Sequence, residues 1–341
     1  MTTLSVLDLA TVASGATAAD ALAETVQIAP EVERLGYRRL WVAEHHGMPM
    51  VASSAPAVLI GHLAGVTSTL RVGAGGVMLP NHAPLVIAEQ FGTLEALHPG
   101  RIDLGLGRAP GTDQVTARAL RRNADVGPDA FPEDVVELIN YLLAGEGPAT
   151  HPSAMPGRGY LPEMWLLGSS TFSAQLAGML GLSFSFAYHF APDLVDRALE
   201  EYRARFRPSI LLDRPRVMVA VSVVCAPDQE EAAWLAAPSG LALLQLRSGR
   251  PAPVATPEEA AAYRYTDQER ALIEESTSSH LVGDPDQVRR GLVDLVERTS
   301  ADEIMISTRT HSYQARIRSL SLVAEQWPME PPANSSSTSA A

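Results

Sequence analysis

Short runs rich in Val, Ile, Leu and aromatic residues recur along the chain at regular intervals. Leu4–Ala10, Arg38–His46, Leu70–Pro80, Arg101–Gly107, Met164–Ser169, Leu182–His189, Arg216–Ala226 and Glu303–Thr308 read as strands. Near-continuous apolar runs mark strands covered on both faces, as in parallel sheets. The segments between them read as helices: Ala18–Leu35, Ala55–Thr67, Ala83–Leu97, Pro132–Leu143, Ser173–Leu180, Asp193–Arg205, Asp228–Leu235 and Pro285–Arg298. The first opens after Thr17 and stops at Gly36, a common helix terminator. Eight strands alternating with eight helices predict an α/β protein of the (β/α)₈ TIM-barrel type; an open doubly wound sheet is the alternative. Two connections exceed what a barrel needs. Ala109–Phe131 follows the fourth strand, and Ala236–Val282, with its own helical piece Pro257–Tyr263, follows the seventh. Long ordered loops of this kind are either lids and binding loops or variable surface insertions. The expected organisation is one barrel domain over 1–327, with 236–282 as a lid within it. The segment 328–341, rich in Pro, Ser and small residues, is expected to be a disordered tail.

Composition narrows the classes. The formal net charge is −13, which repels phosphate backbones and anionic lipid heads and disfavours nucleic acid and membrane surfaces as partners. The single cysteine, Cys225, cannot form an intrachain disulfide. The opening MTTLSVLDLATVASG lacks the basic region of a signal peptide. No apolar run reaches the ~20 residues of a membrane helix. A cytoplasmic protein is expected. All 26 basic residues are arginine. Whether this reflects genome composition or not, it excludes Schiff-base lysine chemistry, pyridoxal-phosphate lysines and a Walker-A lysine. Any phosphate must be held by arginine, hydroxyls and backbone amides.

In barrels of this class the site lies at the C-terminal strand ends. Strand two ends in Glu44-His45-His46, strand three in Gly73-Ala74-Gly75-Gly76, strand four in Gly107-Arg108, strand five in Gly168-Ser169-Ser170, strand six in Tyr188-His189 and strand eight near Thr308-Arg309. Glycines weaken a strand unless something needs the space, whether a flat ring against the backbone, a bulge or a tight contact. Gly168-Ser169-Ser170-Thr171 ends a strand and opens a helix, an anion site that needs no lysine, and Arg108 on the neighbouring strand adds a fork of donors. Ordinary N-capping is the other reading of those serines. His45 and His46 are adjacent in extended chain and should face opposite sides, one toward the pocket and one toward the wall. Histidine suits acid–base work near neutral pH. No metal site is expected, since neither HExxH nor a cysteine pair is present. GLGRAPG fits no dinucleotide fingerprint, and no G-x-S-x-G elbow occurs. Tyr188, His189, Met78 and Phe91 are candidates either to line a pocket or to pack the core.

At these positions the chain resembles the bacterial-luciferase-like flavin monooxygenases. The resemblance rests on WVAEHH (Trp41–His46), the long stretch Val72–Asp113, WLLGSSTFSAQLAGMLGL (Trp165–Leu182) and HLVGDPDQV (His280–Val288). It spans roughly Leu4–Ala324 and is nearest a subgroup that includes oxygenases of aromatic polyketide biosynthesis. The resemblance implies a usually dimeric (β/α)₈ barrel that takes reduced FMN from a separate reductase. It implies formation of a C4a-peroxyflavin with O₂ and oxygenation of a small organic substrate. By position, His45 matches the catalytic histidine, and Gly75-Gly76, after Ala74, match the residues at a non-proline cis peptide beneath the flavin. Arg108 and Ser169, with Ser170 or Ser173 after Gly168, match the phosphate ligands. A second phosphate arginine has candidates in Arg118, Arg121 and Arg122. Gly107 replaces the luciferase cysteine, and Gly-Gly replaces its Ala-Ala. These departures bear on aldehyde oxidation and light emission, not on flavin binding. Related barrels use the deazaflavin F420 for hydride transfer, a second reading; a non-catalytic flavin-binding barrel is a third. The apolar helices Ala55–Thr67 and Ala83–Leu97 are candidates for the dimer interface.

Overall fold

The computed structural model describes residues 2–109, 111–120, 130–143 and 152–329. The candidate arginines 121 and 122, and residues 330–341 of the expected tail, lie outside them. Nine parallel strands are present among the described residues: β1 (Thr3–Asp8), β2 (Arg39–Val42), β3 (Arg71–Met78), β4 (Ile102–Gly107), β5 (Glu163–Gly168), β6 (Ser183–Ala187), β7 (Val217–Cys225), β8 (Leu281–Gly283) and β9 (Glu303–Ser307). Eight of them close in the order β6-β5-β4-β3-β2-β1-β9-β7, with β7 pairing back onto β6. This is the predicted barrel. The short β8 adds to β7 above that ring, Val223 opposite Leu281 through Cys225 opposite Gly283.

The helices are α1 (Ala18–Arg34), α2 (Pro56–Val66), α3 (Pro84–Leu97), α4 (Gln114–Leu120), α5 (Phe131–Leu142), α6 (Thr171–Leu180), α7 (Val195–Arg205), α8 (Gln229–Arg247), α9 (Pro257–Ala262), α10 (Asp267–Thr277), α11 (Pro285–Thr299) and α12 (Tyr313–Gln326). None is long and apolar enough to cross a membrane. Local chemistry sets their ends. Thr17 with Asp20, Thr256 with Glu259, Thr266 with Glu269 and Asp284 with Gln287 form capping boxes, each satisfying two orphan donors. Gly36 follows α1 at φ +83°.

Two sequence expectations need correction. The helix expected over Asp228–Leu235 runs on to Arg247, across Pro238. A mid-helix proline costs ~3 kcal/mol. Here the second half of α8 buries Leu241 in a cluster with Ala255 and Ala260, and Gly240 lies against Ile273 of α10. That burial offsets the lost hydrogen bond. The helix counted as the eighth, α11, instead follows β8, and α12, which the sequence reading missed, completes the unit after β9.

Inward positions alternate along the strands and stack in layers. Outward positions are Val, Ile and Leu packed beneath the helices. At the N-terminal end the interior is charged. Arg39 bonds Asp103 at 2.6 Å and Glu303 at 2.7 Å, Arg71 bonds Asp103 at 2.5 Å, and Arg216 bonds Glu163 at 2.8 Å. Above lies a layer of Trp41, Trp165, Met218 and Met305, with the indoles edge-to-face at 5.7 Å. Each indole N–H reaches down to the charged layer, Trp41 to Asp103 and Trp165 to Glu163. A Cβ at Gly73 would lie 2.5 Å from Asp103 Cβ and 2.9 Å from Trp41 Nε1. Glycine there makes room for this floor and not for a ligand.

Candidate active site

The C-terminal strand ends open into a cavity of about 270 Å³ whose floor includes Trp41, Leu7 and Met305. His45, Gly75, Gly76, Arg108, Gly168, Ser169, Ser170 and Ser173 all line it. Residues far apart in sequence are thus brought to one cavity. Ala74 is the exception: its methyl is fully buried in the outer core and is not part of the lining. Met78 and His189 face the cavity as well. Phe91 is core, and Tyr188 packs on the outer core with the Arg298 guanidinium 6.0 Å from its ring. Arg118, on α4, is exposed and away from the lining.

The Gly75–Gly76 peptide is cis, as the resemblance implied. The β3–β4 register shifts between Ala74 and Val77. A Cβ at Gly76 would meet the Gly105 carbonyl at 2.8 Å, and one at Gly75 would meet Trp41 and Leu7 at 2.9 Å. Both positions require glycine, so that backbone forms this part of the wall.

The anion cradle is built by β4, β5 and α6. Ser170 is the N-cap of α6, yet its hydroxyl makes no cap hydrogen bond. Ser169, Ser170 and Ser173 have no hydroxyl hydrogen bond to any described residue. A helix start with free amides and three uncommitted hydroxyls is a set of donors aimed at an anion. Capping was the competing explanation for these serines, and the geometry of Ser170 removes it. Gly168 lets α6 approach, since its Cβ would fall 2.6 Å from Ser173 Cβ. The Arg108 guanidinium stacks 4.3 Å from the Phe172 ring and has no carboxylate partner among the described residues. This donor set fits a phosphate monoester.

His45 and His46 diverge as expected. His45 faces the cavity, and its Nδ1 lies 3.3 Å from the Gly111 carbonyl. A carbonyl only accepts, so Nδ1 carries the proton and Nε2 keeps its lone pair. Burial lowers the His45 pKa against the raising effects of that carbonyl and Glu44, so the ring is neutral at pH 7. His46 turns away. Its Nε2 and that of His82 both donate to Glu44 Oε1, each at 2.8 Å, while the Met78 amide donates to Oε2 at 3.1 Å. Burial pushes the Glu44 carboxyl up, but the imidazole and amide donors outweigh it and hold its pKa below the usual range. This Glu44–His46–His82 cluster, its ligand atoms within 4.8 Å of one another, was not anticipated, because His82 lies on the loop after β3. It ties the β2 and β3 loops together behind His45. Thr112 Oγ1 adds a bond to the His46 carbonyl at 2.7 Å.

Beyond the cradle, burial lowers His189, which the sequence had offered as a lining candidate, to about 4, and does the same to His280 in the wall of a neighbouring cavity. Ser222, Ser307 and Arg309 complete the wall formed by β7 and β9.

A closed parallel barrel with chemistry gathered at its C-terminal mouth defines a TIM-barrel enzyme. The chain belongs to the luciferase-like monooxygenase family, whose model, Luciferase-like monooxygenase, matches residues 2–303. It is 50% identical over 326 residues to the uncharacterized protein YvbT of Bacillus subtilis (strain 168), covering 96% of this chain and 97% of that one. It is 46% identical over 321 residues to a luciferase-like monooxygenase of Escherichia coli (strain K12), covering 94% and 96%. The crystal structure of apo-MsnO8 superposes with a TM-score of 0.90 at 35% identity, over 97% of this chain and 100% of that one. More distant structures share the fold: the oxygenating constituent of 3,6-diketocamphane monooxygenase, in complex with FMN, at 19% identity, and an F420-dependent tetrahydromethanopterin reductase at 16%.

Proposed function

We propose that the chain is a monooxygenase that binds reduced FMN, supplied by a separate flavin reductase, and inserts one oxygen atom of O₂ into a small organic substrate. The observation that carries this reading is the cradle on β4, β5 and α6, with uncommitted hydroxyls, free helix amides and an Arg108 that has no carboxylate partner among the described residues, in one cavity with a neutral His45. Arg108, Ser169, Ser170 and Ser173 would hold the FMN phosphate, and the Gly75–Gly76 backbone would support the ring. Bound reduced flavin supplies the two electrons that reduce O₂, one oxygen entering the substrate and the other leaving as water. His45 Nε2 accepts and returns a proton at the reacting oxygen. The apolar floor excludes water.

Two further features belong to this proposal. The 236–282 segment is anchored to the loop after β1, with Val254 N bonded to Val12 O at 2.9 Å, and it closes over the mouth. Exposed apolar residues on α2 and α3, Val58 at 76% and Leu97 at 67%, are the homodimer face.

The test is rapid mixing. Protein loaded anaerobically with reduced FMN is mixed with oxygenated buffer and followed by absorbance. Return of oxidised flavin slower than for free FMN is the expected result. Return at the free-flavin rate overturns the oxygenase reading, and titration with F420 then separates a hydride-transfer enzyme from a non-catalytic barrel. His45→Ala is expected to leave FMN affinity within about twofold while turnover shifts to H₂O₂, read by peroxide assay.

A further inference from the structure

Arg309, half-buried in the cavity wall, stands apart from the buried cations Arg39 and Arg316, which both hold carboxylates. It follows β9, two residues beyond Ser307 and four beyond Met305, so its side chain points the same way and lines the cavity. No described side chain hydrogen-bonds or ion-pairs with its guanidinium. Burial lowers its pKa, with no neighbouring carboxylate to counter it. Its field in turn depresses His45, His189 and His280, which places it among them. Burying a cation without a counter-charge is costly. This molecule has 39 acidic residues against 26 arginines, yet among the described residues no Asp or Glu lines this cavity.

Position separates Arg309 from the phosphate cradle. In the closed order, β9 is four strands from β4 in an eight-strand ring. Arg309 and Arg108 therefore face each other across the mouth. A second cavity, of about 560 Å³, lies under α8–α10, with Ser222 in the wall of both. His280 lines it, and Ser239 Oγ, from the same lining, donates to the Arg309 backbone carbonyl at 3.4 Å.

We infer that Arg309 is the recognition residue for an anionic group on the substrate, so that the enzyme acts on small organic acids, with the carboxylate held on the β9 side and the apolar body over the floor. The inference rests on the functional reading above only in calling the bound acid a substrate. The anion site itself stands on geometry. A planar guanidinium matches a carboxylate with two parallel hydrogen bonds.

The probes are hexanoate and benzoate, each paired with its neutral amide. They are titrated calorimetrically into the full-length chain, with and without FMN, alongside a separate FMN titration by fluorescence quenching. The acids are expected to bind roughly 30-fold or more tightly than the amides. Arg309→Gln should abolish that preference while leaving FMN affinity within about threefold, and Arg309→Lys should restore part of it. Acids that bind no better than amides overturn the proposal. So does an Arg309→Gln variant that loses FMN as severely as acid, which would assign Arg309 to the flavin. Acid preference in a chain that fails to bind FMN overturns the monooxygenase reading and leaves this one standing.

Discussion

The two ends of the barrel use the same residue types to opposite effect. At the N-terminal end, Arg39, Arg71 and Arg216 interlock with Asp103, Glu163 and Glu303, and Ser5 and two indoles take up remaining acceptors. Burial pushes Glu163 up, but the three arginines outweigh it and hold its carboxyl at about 2. At the C-terminal end, Arg108 and Arg309 have no carboxylate partner among the described residues, three serines withhold their hydroxyls, and burial lowers His45, His189 and His280. A satisfied network stabilises, and an unsatisfied one waits for a ligand. One barrel thus divides its polar groups between a structural end and a chemical end.

The largest effect that should sharpen this contrast comes from the floor. Arg39→Met removes the buried cation shared by Asp103 and Glu303 and is expected to cost about 3–5 kcal/mol of stability, read by urea denaturation, with FMN affinity of the folded fraction unchanged. An equal loss of flavin binding would break the division. Next is Arg108→Ala, expected to weaken FMN by roughly 1.5–3 kcal/mol, a ten- to hundredfold rise in Kd, with the denaturation midpoint almost unmoved.

Acid should separate the ends as well. His189 and His280 titrate at about 4 in the folded chain, below the ordinary 6.5. The unfolded chain takes up their protons first, so stability falls as pH drops from about 6.5 toward 4. Glu163 has the usual depressed-carboxylate sign: its contribution is intact above 4.5 and is lost on the way to about 2. Melting curves between pH 7 and 5 should therefore fall with acid through these buried histidines, and His189→Gln should flatten them. The smallest effect is Ser170→Ala. Losing a true N-cap costs ~1 kcal/mol. With no cap bond to lose, this change should alter stability by less than about 0.5 kcal/mol while raising the FMN Kd several-fold.

Much of this was legible in the sequence, for reasons that differ by residue. The strands showed because their outward positions are aliphatic. His45, Arg108 and Ser169 showed because strand ends are the one place where a barrel displays chemistry. The Gly75–Gly76 pair showed through family resemblance, while the reason for Gly73, the crowding of Trp41 and Asp103, is a contact between strands. The length of α8 was hidden by Pro238, whose local penalty is overridden by tertiary burial. His82 was hidden, and Arg309, visible only as a strand end, gave no sign of its isolation. His82 matters through a carboxylate far away in sequence. Arg309 matters through what is missing around it, and the lack of a partner has no local pattern.

The acid-free mouth also bears on kinetics. The whole molecule carries −13, so an approaching anion is repelled at long range and attracted only once it is within reach of the two arginines. Added salt screens the long-range barrier more than the enclosed attraction. Association of anionic ligands should therefore quicken as ionic strength rises, opposite to the usual steering of a charged ligand into its site, while their residence time shortens.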